Sequence, residues 1–167
     1  MITLYHGTGR NRADKIIQSG RIQHWVDRFW EDTSDGYVYL TDSINSAIMW
    51  ANKNHLLEKN PRESSFVVFE CRIDKNELVP DIDELKINAP HTKLKDIDQI
   101  TALESLQICR AARISRDLVI GTDIIRYMEL PNANYFEHPL LHVTKACVRV
   151  RTNIDCSEEF IWKQAGC

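Results

Sequence analysis

The chain has no run of about eighteen apolar residues, the length that a membrane-crossing helix needs. It has no glycine-rich phosphate loop, neither GxGxxG nor GxxxxGK[ST], so a bound nucleotide is expected to be held without the usual helix-terminus cradle. None of its cysteines forms a CxxC pair, and their number, five, is odd. A complete disulfide framework is therefore impossible and no structural zinc site is expected. Cys71, Cys109 and Cys147 read as small apolar core residues. Positive charge is not in excess: 21 Lys and Arg face 24 Asp and Glu, a net charge of -3. That balance gives no electrostatic reason for binding bulk nucleic acid. The start, Met1-Ile2-Thr3-Leu4-Tyr5, lacks the charged beginning and long apolar stretch of a signal peptide, so a cytoplasmic location and no membrane partner are expected. Repeats and low-complexity stretches are absent too.

What remains is an ordinary globular composition, 43% hydrophobic and 27% charged over 167 residues. One domain spanning 1–167 is expected, able to bury a normal core without staples. Residues 2–6 read as a short strand ending at Gly7. Ala13, Ile16 and Ile17 share one face of a short helix that Gly20 stops. Residues 20–36 read as a loop carrying Trp25, Phe29 and Trp30. Tyr37 to Thr41 is rich in strand formers. Asp42 or Ser43 then caps a helix with Ile44, Ala47, Ile48 and Ala51 on one face, running out near Asn60-Pro61. Residues 65–73 are the strongest strand of the chain, with Phe66 to Phe69 apolar enough for burial on both faces.

Residues 74–99 are polar and broken by Pro80 and Pro90. Residues 97–113 carry both helical and strand patterns. Leu118 to Gly121 and Ile124 to Leu130 read as two strands, residues 131–139 as a linker, and the alternation over 140–151 as a final strand. Two or three helices placed early and six or seven strands placed mostly late imply an α+β fold.

Leu4-Tyr5-His6-Gly7-Thr8, and then Tyr37-Val38-Tyr39-Leu40-Thr41 followed by a helix with Ala47 and Trp50-Ala51, carry the functional signal. This order and spacing resembles the ADP-ribosyltransferase superfamily, in the branch shared by poly-ADP-ribose polymerases and the small rifampin ADP-ribosyltransferases. The resemblance covers roughly residues 2–130 and leaves 131–167 as a C-terminal extension. It implies split antiparallel β-sheets with a few flanking helices, and NAD as co-substrate. By position, His6 would bond a ribose hydroxyl, Gly7 would let the backbone approach the nicotinamide amide, Thr8 would add a contact, and Tyr39 would stack on the nicotinamide ring. Tyr37 is the second choice for the stacking role.

The resemblance also implies a third residue that steadies the positive charge developing on the ribose. Four candidates compete. Asp81 and Asp83 follow the strong strand in an acidic turn, Gln107 lies before a late strand, and Glu104 lies three residues earlier. Asp81 is favoured, then Gln107. The acceptor implied is a macromolecule, because small free-standing members of this kind are often bacterial or phage toxins and defence effectors; an antitoxin partner is then possible. Arg110, Arg113 and Arg116 could touch an RNA or DNA acceptor, and Arg149 to Arg151 forms a second basic run. Two other readings stay open. An RNA 2′-phosphotransferase also begins with an HGT-like motif and uses NAD; His24 and Arg28 could supply part of its phosphate site. A non-catalytic module would bind NAD or ADP-ribose only. Phe160, Ile161 and Trp162 could dock on the domain or on a partner.

Overall fold

The structure is a computed structural model, and it describes residues 1–25, 33–57, 65–88, 97–134, 137–149 and 156–166. The expectations for Arg28, Phe29, Trp30, Asn60-Pro61, Pro90 and Arg151 lie outside the described residues. In chain order the elements are β1 (Ile2–Gly9), α1 (Arg10–Ser19), β2 (Arg21–Ile22), β3 (Val38–Thr41), α2 (Ile44–Leu57), β4 (Ser65–Ile73) and β5 (Val79–Pro80). Then come α3 (Ile82–Asn88), α4 (Ala102–Cys109), β6 (Ala111–Ile114), β7 (Leu118–Val119), β8 (Ile124–Pro131), α5 (Leu141–Arg149) and β9 (Trp162–Gln164). The fold is mixed α+β. A seven-stranded sheet runs β5-β6-β3-β1-β4-β8-β9, and β2 and β7 form a small second sheet. The pairings between these strands are antiparallel, and one isolated parallel bridge joins Ile120 and Ile124. No helix among the described residues is long and apolar enough to cross a membrane.

The local rules hold where the sequence states them clearly. Gly20 ends α1 in the left-handed region at φ 73°, and its N–H bonds the Ile16 carbonyl, a conformation that glycine adopts without a Cβ penalty. Ser43 Oγ accepts from the Ser46 N–H at 3.3 Å and so caps α2. Thr101 and Glu104 form a reciprocal capping box that starts α4, which resolves the mixed pattern over 97–113 into a helix and then β6.

Two expectations are corrected. Residues 140–151 do not form a strand: α5 covers Leu141–Arg149. Val143 and Cys147, four apart, are both buried and face α2 in one core cluster, so the helical period wins over the weak alternation. The helices are also more numerous, five among the described residues, and spread along the chain.

Two apolar cores lie on the two faces of the sheet. One joins Leu4, Val38, Leu40, Val67, Phe69 and Ile114 to Ala13 and Ile16 of α1, Ile22 of β2, Leu118 of β7 and Leu106 of α4. The other joins Phe66, Val68, Met128 and Leu130 to Ala47, Ile48 and Ala51 of α2 and to Val143 and Cys147 of α5. The central strand β4 is buried on both faces from Phe66 to Cys71, as its apolar run implies. Cys71 and Cys147 are buried free thiols. Phe160 and Trp162 pack against the second core, and the Arg126 guanidinium sits 4.4 Å over the Trp162 ring. Ile161 stays exposed.

The feature that positions the site is the unequal pairing of β1. Every residue from Ile2 to Gly9 has a partner in β4, from Ile73 back to Phe66. Against β3, β1 pairs only at Tyr5↔Thr41. The two strands part after that point, and the fork opens toward Gly7–Gly9 on one side and Gly36–Tyr39 on the other.

Candidate functional site

His6 sits at the apex of the fork. Its Nδ1 lies 3.0 Å from the Tyr39 carbonyl oxygen. A carbonyl only accepts, so Nδ1 carries the proton. Burial lowers the His6 pKa, against the pull of that carbonyl, and the Arg12 charge on α1 lowers it further. The imidazole is therefore neutral, and Nε2 is a lone-pair acceptor with no hydrogen-bond partner among the described residues. In effect the side chain continues the β1–β3 ladder where the backbone has left it.

Gly7 has a packing reason to be glycine. A Cβ there would stand 2.1 Å from the Ala47 carbonyl oxygen and 3.0 Å from the Ala51 methyl. The missing side chain lets α2 lie directly on β1. Thr8 is buried beside Val67 of β4.

Tyr39 alternates with Val38 and Leu40, whose side chains belong to the first core. Its phenol therefore projects to the other face, where β6 places Arg113 directly opposite it in register. The Tyr39 hydroxyl donates to Asp83 Oδ2 at 2.6 Å and lies 3.0 Å from the Ser34 carbonyl. Asp83, in the first turn of α3, also accepts from the Ser34 N–H and Oγ at 2.9 Å and from Arg113 Nη1 at 3.1 Å. The Arg113 guanidinium is 4.0 Å over the Tyr37 ring. One carboxylate thus gathers a phenol, a serine and an arginine, all half-buried or buried.

The charges follow from that arrangement. Burial alone would raise the Asp83 pKa, but the hydrogen bonds from Tyr39 and Ser34 and the Arg113 charge outweigh it and hold the carboxyl below its usual range. Burial raises the Tyr39 pKa, and the bond to Asp83 raises it further. Asp83 is an anion and Tyr39 a neutral phenol at neutral pH.

The other acidic and amide candidates have different surroundings. Asp81 is buried; its Oδ1 accepts from the Glu84 N–H at 3.0 Å and its N–H donates to Ser105 Oγ at 3.1 Å. It caps α3, and burial raises its pKa. Glu104 closes the α4 capping box and is exposed. Gln107 lies on the outer side of α4. It lines a shallow groove of about 370 Å³ with Leu4, Asp42, Leu106 and Arg110, at the closed end of the β1–β3 pair. The structure therefore joins His6 to the Tyr39 backbone carbonyl and Asp83 to the Tyr39 hydroxyl; Asp81 lies beside this network, close enough for its charge to act on Tyr39 and for the Asp83 and Arg113 charges to act on it, while Glu104 and Gln107 are exposed on α4.

The arginine cluster is dispersed. Arg110 Nε lies 2.7 Å from Asp42, Arg113 belongs to the Asp83 network, and Arg116 pairs with both Glu77 and Asp123. Sequence reasoning passed over Ser34 and took Arg113 only as part of a basic run. The period-2 placement of Arg113 opposite Tyr39 depends on strand register, which the chain does not announce. Neither a protein-family model nor a curated protein sequence matches the chain.

Proposed function

We propose that the chain is an NAD-dependent ADP-ribosyltransferase whose reaction centre is the β1–β3 fork, with Asp83 as the third residue. One observation carries this reading: where the β1–β3 pairing ends, Tyr39 is held at two points, its backbone carbonyl by His6 Nδ1 at 3.0 Å and its hydroxyl by Asp83 at 2.6 Å. NAD supplies ADP-ribose, with nicotinamide as the leaving group and positive charge developing on the ribose. The residues suit those demands. His6 Nε2, a neutral acceptor, can take a hydrogen bond from a ribose hydroxyl. Tyr39 and Tyr37 offer ring faces for the nicotinamide, and Tyr39 is held by its hydroxyl in one orientation. Asp83 is a preorganised anion in a partly dry site, where a carboxylate stabilises developing positive charge most.

Asp83 replaces Asp81 as the favoured third residue because it accepts directly from the Tyr39 hydroxyl, whereas the Asp81 carboxylate accepts from the Glu84 N–H as the α3 cap. The expected split into separate sheets is replaced by one seven-stranded sheet whose β1–β3 pairing is a single residue pair, and α2 packs on Gly7. The acceptor is proposed to be a macromolecule bearing a nucleophilic oxygen or nitrogen, reached from the mouth of the fork.

The test is NAD binding and nicotinamide release. NAD is expected to raise the melting temperature of the wild-type protein, and the protein is expected to release nicotinamide. His6→Ala should lose most of both. Thermal stabilisation without release would favour the non-catalytic module, and neither effect would end the proposal.

A further inference from the structure

Near the chain that enters β3 lies a second polar constellation that the reading above does not use. Asp117, three residues beyond the end of β6, holds His24 at two points. Its Oδ1 accepts from the His24 backbone N–H at 3.0 Å and stands 2.6 Å from His24 Nδ1. A carboxylate oxygen only accepts, so Nδ1 carries the proton and Nε2 presents its lone pair. Nε2 has no partner among the described residues, and the side chain is 28% exposed. This is the relation between base and orienting acid seen wherever a histidine must take a proton in a fixed direction. Among the described residues, the other charged groups at the pair are Arg21, 3.5 Å from Asp117 Oδ2, and Arg116, whose Nη1 bonds the Asp117 carbonyl at 2.9 Å.

The place of this pair in the fold gives it a use. Trp25, next to His24, lies about 3.5 Å from where a Gly36 Cβ would stand, and Gly36 immediately precedes Tyr37. Val38 pairs with Ile114, so the chain leaving β6 toward Asp117 runs beside the chain entering β3 at Gly36. His24 therefore stands by the chain entering β3 at Gly36, on its β6 side, while His6 contacts β3 from the β1 side.

We infer that His24, oriented by Asp117, is the acceptor-side general base of the transfer reaction proposed above. The acceptor is then a group that must lose a proton to attack, a hydroxyl or an N–H. The C1′–nitrogen bond of NAD breaks with its electron pair leaving on nicotinamide. The acceptor oxygen or nitrogen forms the new bond to C1′, and its proton goes to His24 Nε2. An acceptor with no proton to lose has no need of His24.

Two small nucleophiles separate these cases without knowledge of the natural acceptor. The full-length protein is incubated with NAD, methanol and azide together, and methyl-ADP-ribose and azido-ADP-ribose are quantified. Methanol must be deprotonated; azide need not be. In His24→Gln the methyl-to-azido ratio is expected to fall about tenfold or more. Added imidazole should restore the ratio in His24→Ala, which a merely structural histidine would not allow. An unchanged ratio in His24→Gln overturns this assignment alone. No nicotinamide release by the wild type overturns the transferase reading and this assignment with it.

Discussion

Strand β1 has two neighbours and treats them differently. Toward β4 it is paired along its whole length, and the faces above and below that seam are filled by Phe66, Val68 and Phe69, all fully buried. Toward β3 it is paired at Tyr5 alone, and the side chains beyond are His6, Tyr39, Asp83 and Arg113, joined by hydrogen bonds rather than by apolar packing. The apolar half of the sheet supplies most of the stability. The polar half holds ionisable groups in one arrangement at some expense in desolvation. Beyond the Tyr5↔Thr41 pair, β1 and β3 are joined by a histidine side chain that bonds a carbonyl in place of a backbone amide.

The contrast can be broken from either side. Phe66→Ala, on the apolar side, should lower unfolding free energy by about 4 kcal/mol in urea titrations, the usual range for truncating a buried aromatic. Asp83→Ala, on the polar side, leaves Arg113 with a nearly buried charge and without its carboxylate hydrogen bond, and should lower it by about 3 kcal/mol; a loss below about 1 kcal/mol would mean the network is no part of the fold's stability. Gly7→Ala pushes a methyl into the Ala47 carbonyl and should lower it by about 2 kcal/mol, testing the seam from the helix side. Thr101→Ala removes the α4 cap, far from either half, and should lower it by about 1 kcal/mol.

Acidity separates the two aspartates by sign. Asp83 has a folded pKa below its ordinary value, so its contribution is complete above the unfolded pKa and is lost as the pH falls through the folded one. His6, also depressed, behaves likewise: its contribution is complete above the ordinary histidine pKa of about 6.5 and fades as the pH drops below it. Asp81 is raised, so its effect runs the other way, favouring the fold at low pH and weakening as the pH climbs from the unfolded pKa to the folded one. Asp83→Asn should therefore flatten the loss of stability in acid, and Asp81→Asn should steepen it; unfolding midpoints measured down to the acid range decide both.

The parts of this account that were legible in the chain were those set by local chemistry. The apolar run of β4, the Gly20 stop of α1 and the Ser43 cap of α2 each follow from a few adjacent residues. The pairing of His6 with Tyr39 was also legible, as an order and spacing of motifs. The bond itself, through the Tyr39 carbonyl, was not, because it depends on where β1 and β3 part. Which of Asp81, Asp83, Glu104 and Gln107 bonds the Tyr39 hydroxyl was not legible for the same reason. An acid two residues into α3 reaches Tyr39, while the acid at its start is consumed by the helix cap, and nothing in the local sequence ranks one above the other. The misreading of α5 has a simpler cause: Val143 and Cys147 fit both periods, and only the surface of α2 selects the helical one.

Nicotinamide release from NAD by the wild type, Asp83→Asn and Asp81→Asn tests the central claim most directly. If the fork is the reaction centre and Asp83 steadies the ribose charge, Asp83→Asn should release nicotinamide about a hundredfold more slowly or worse, while Asp81→Asn, whose amide oxygen still caps α3, stays within a few-fold of wild type. Equal rates for Asp83→Asn and wild type, or a collapse confined to Asp81→Asn, would contradict it.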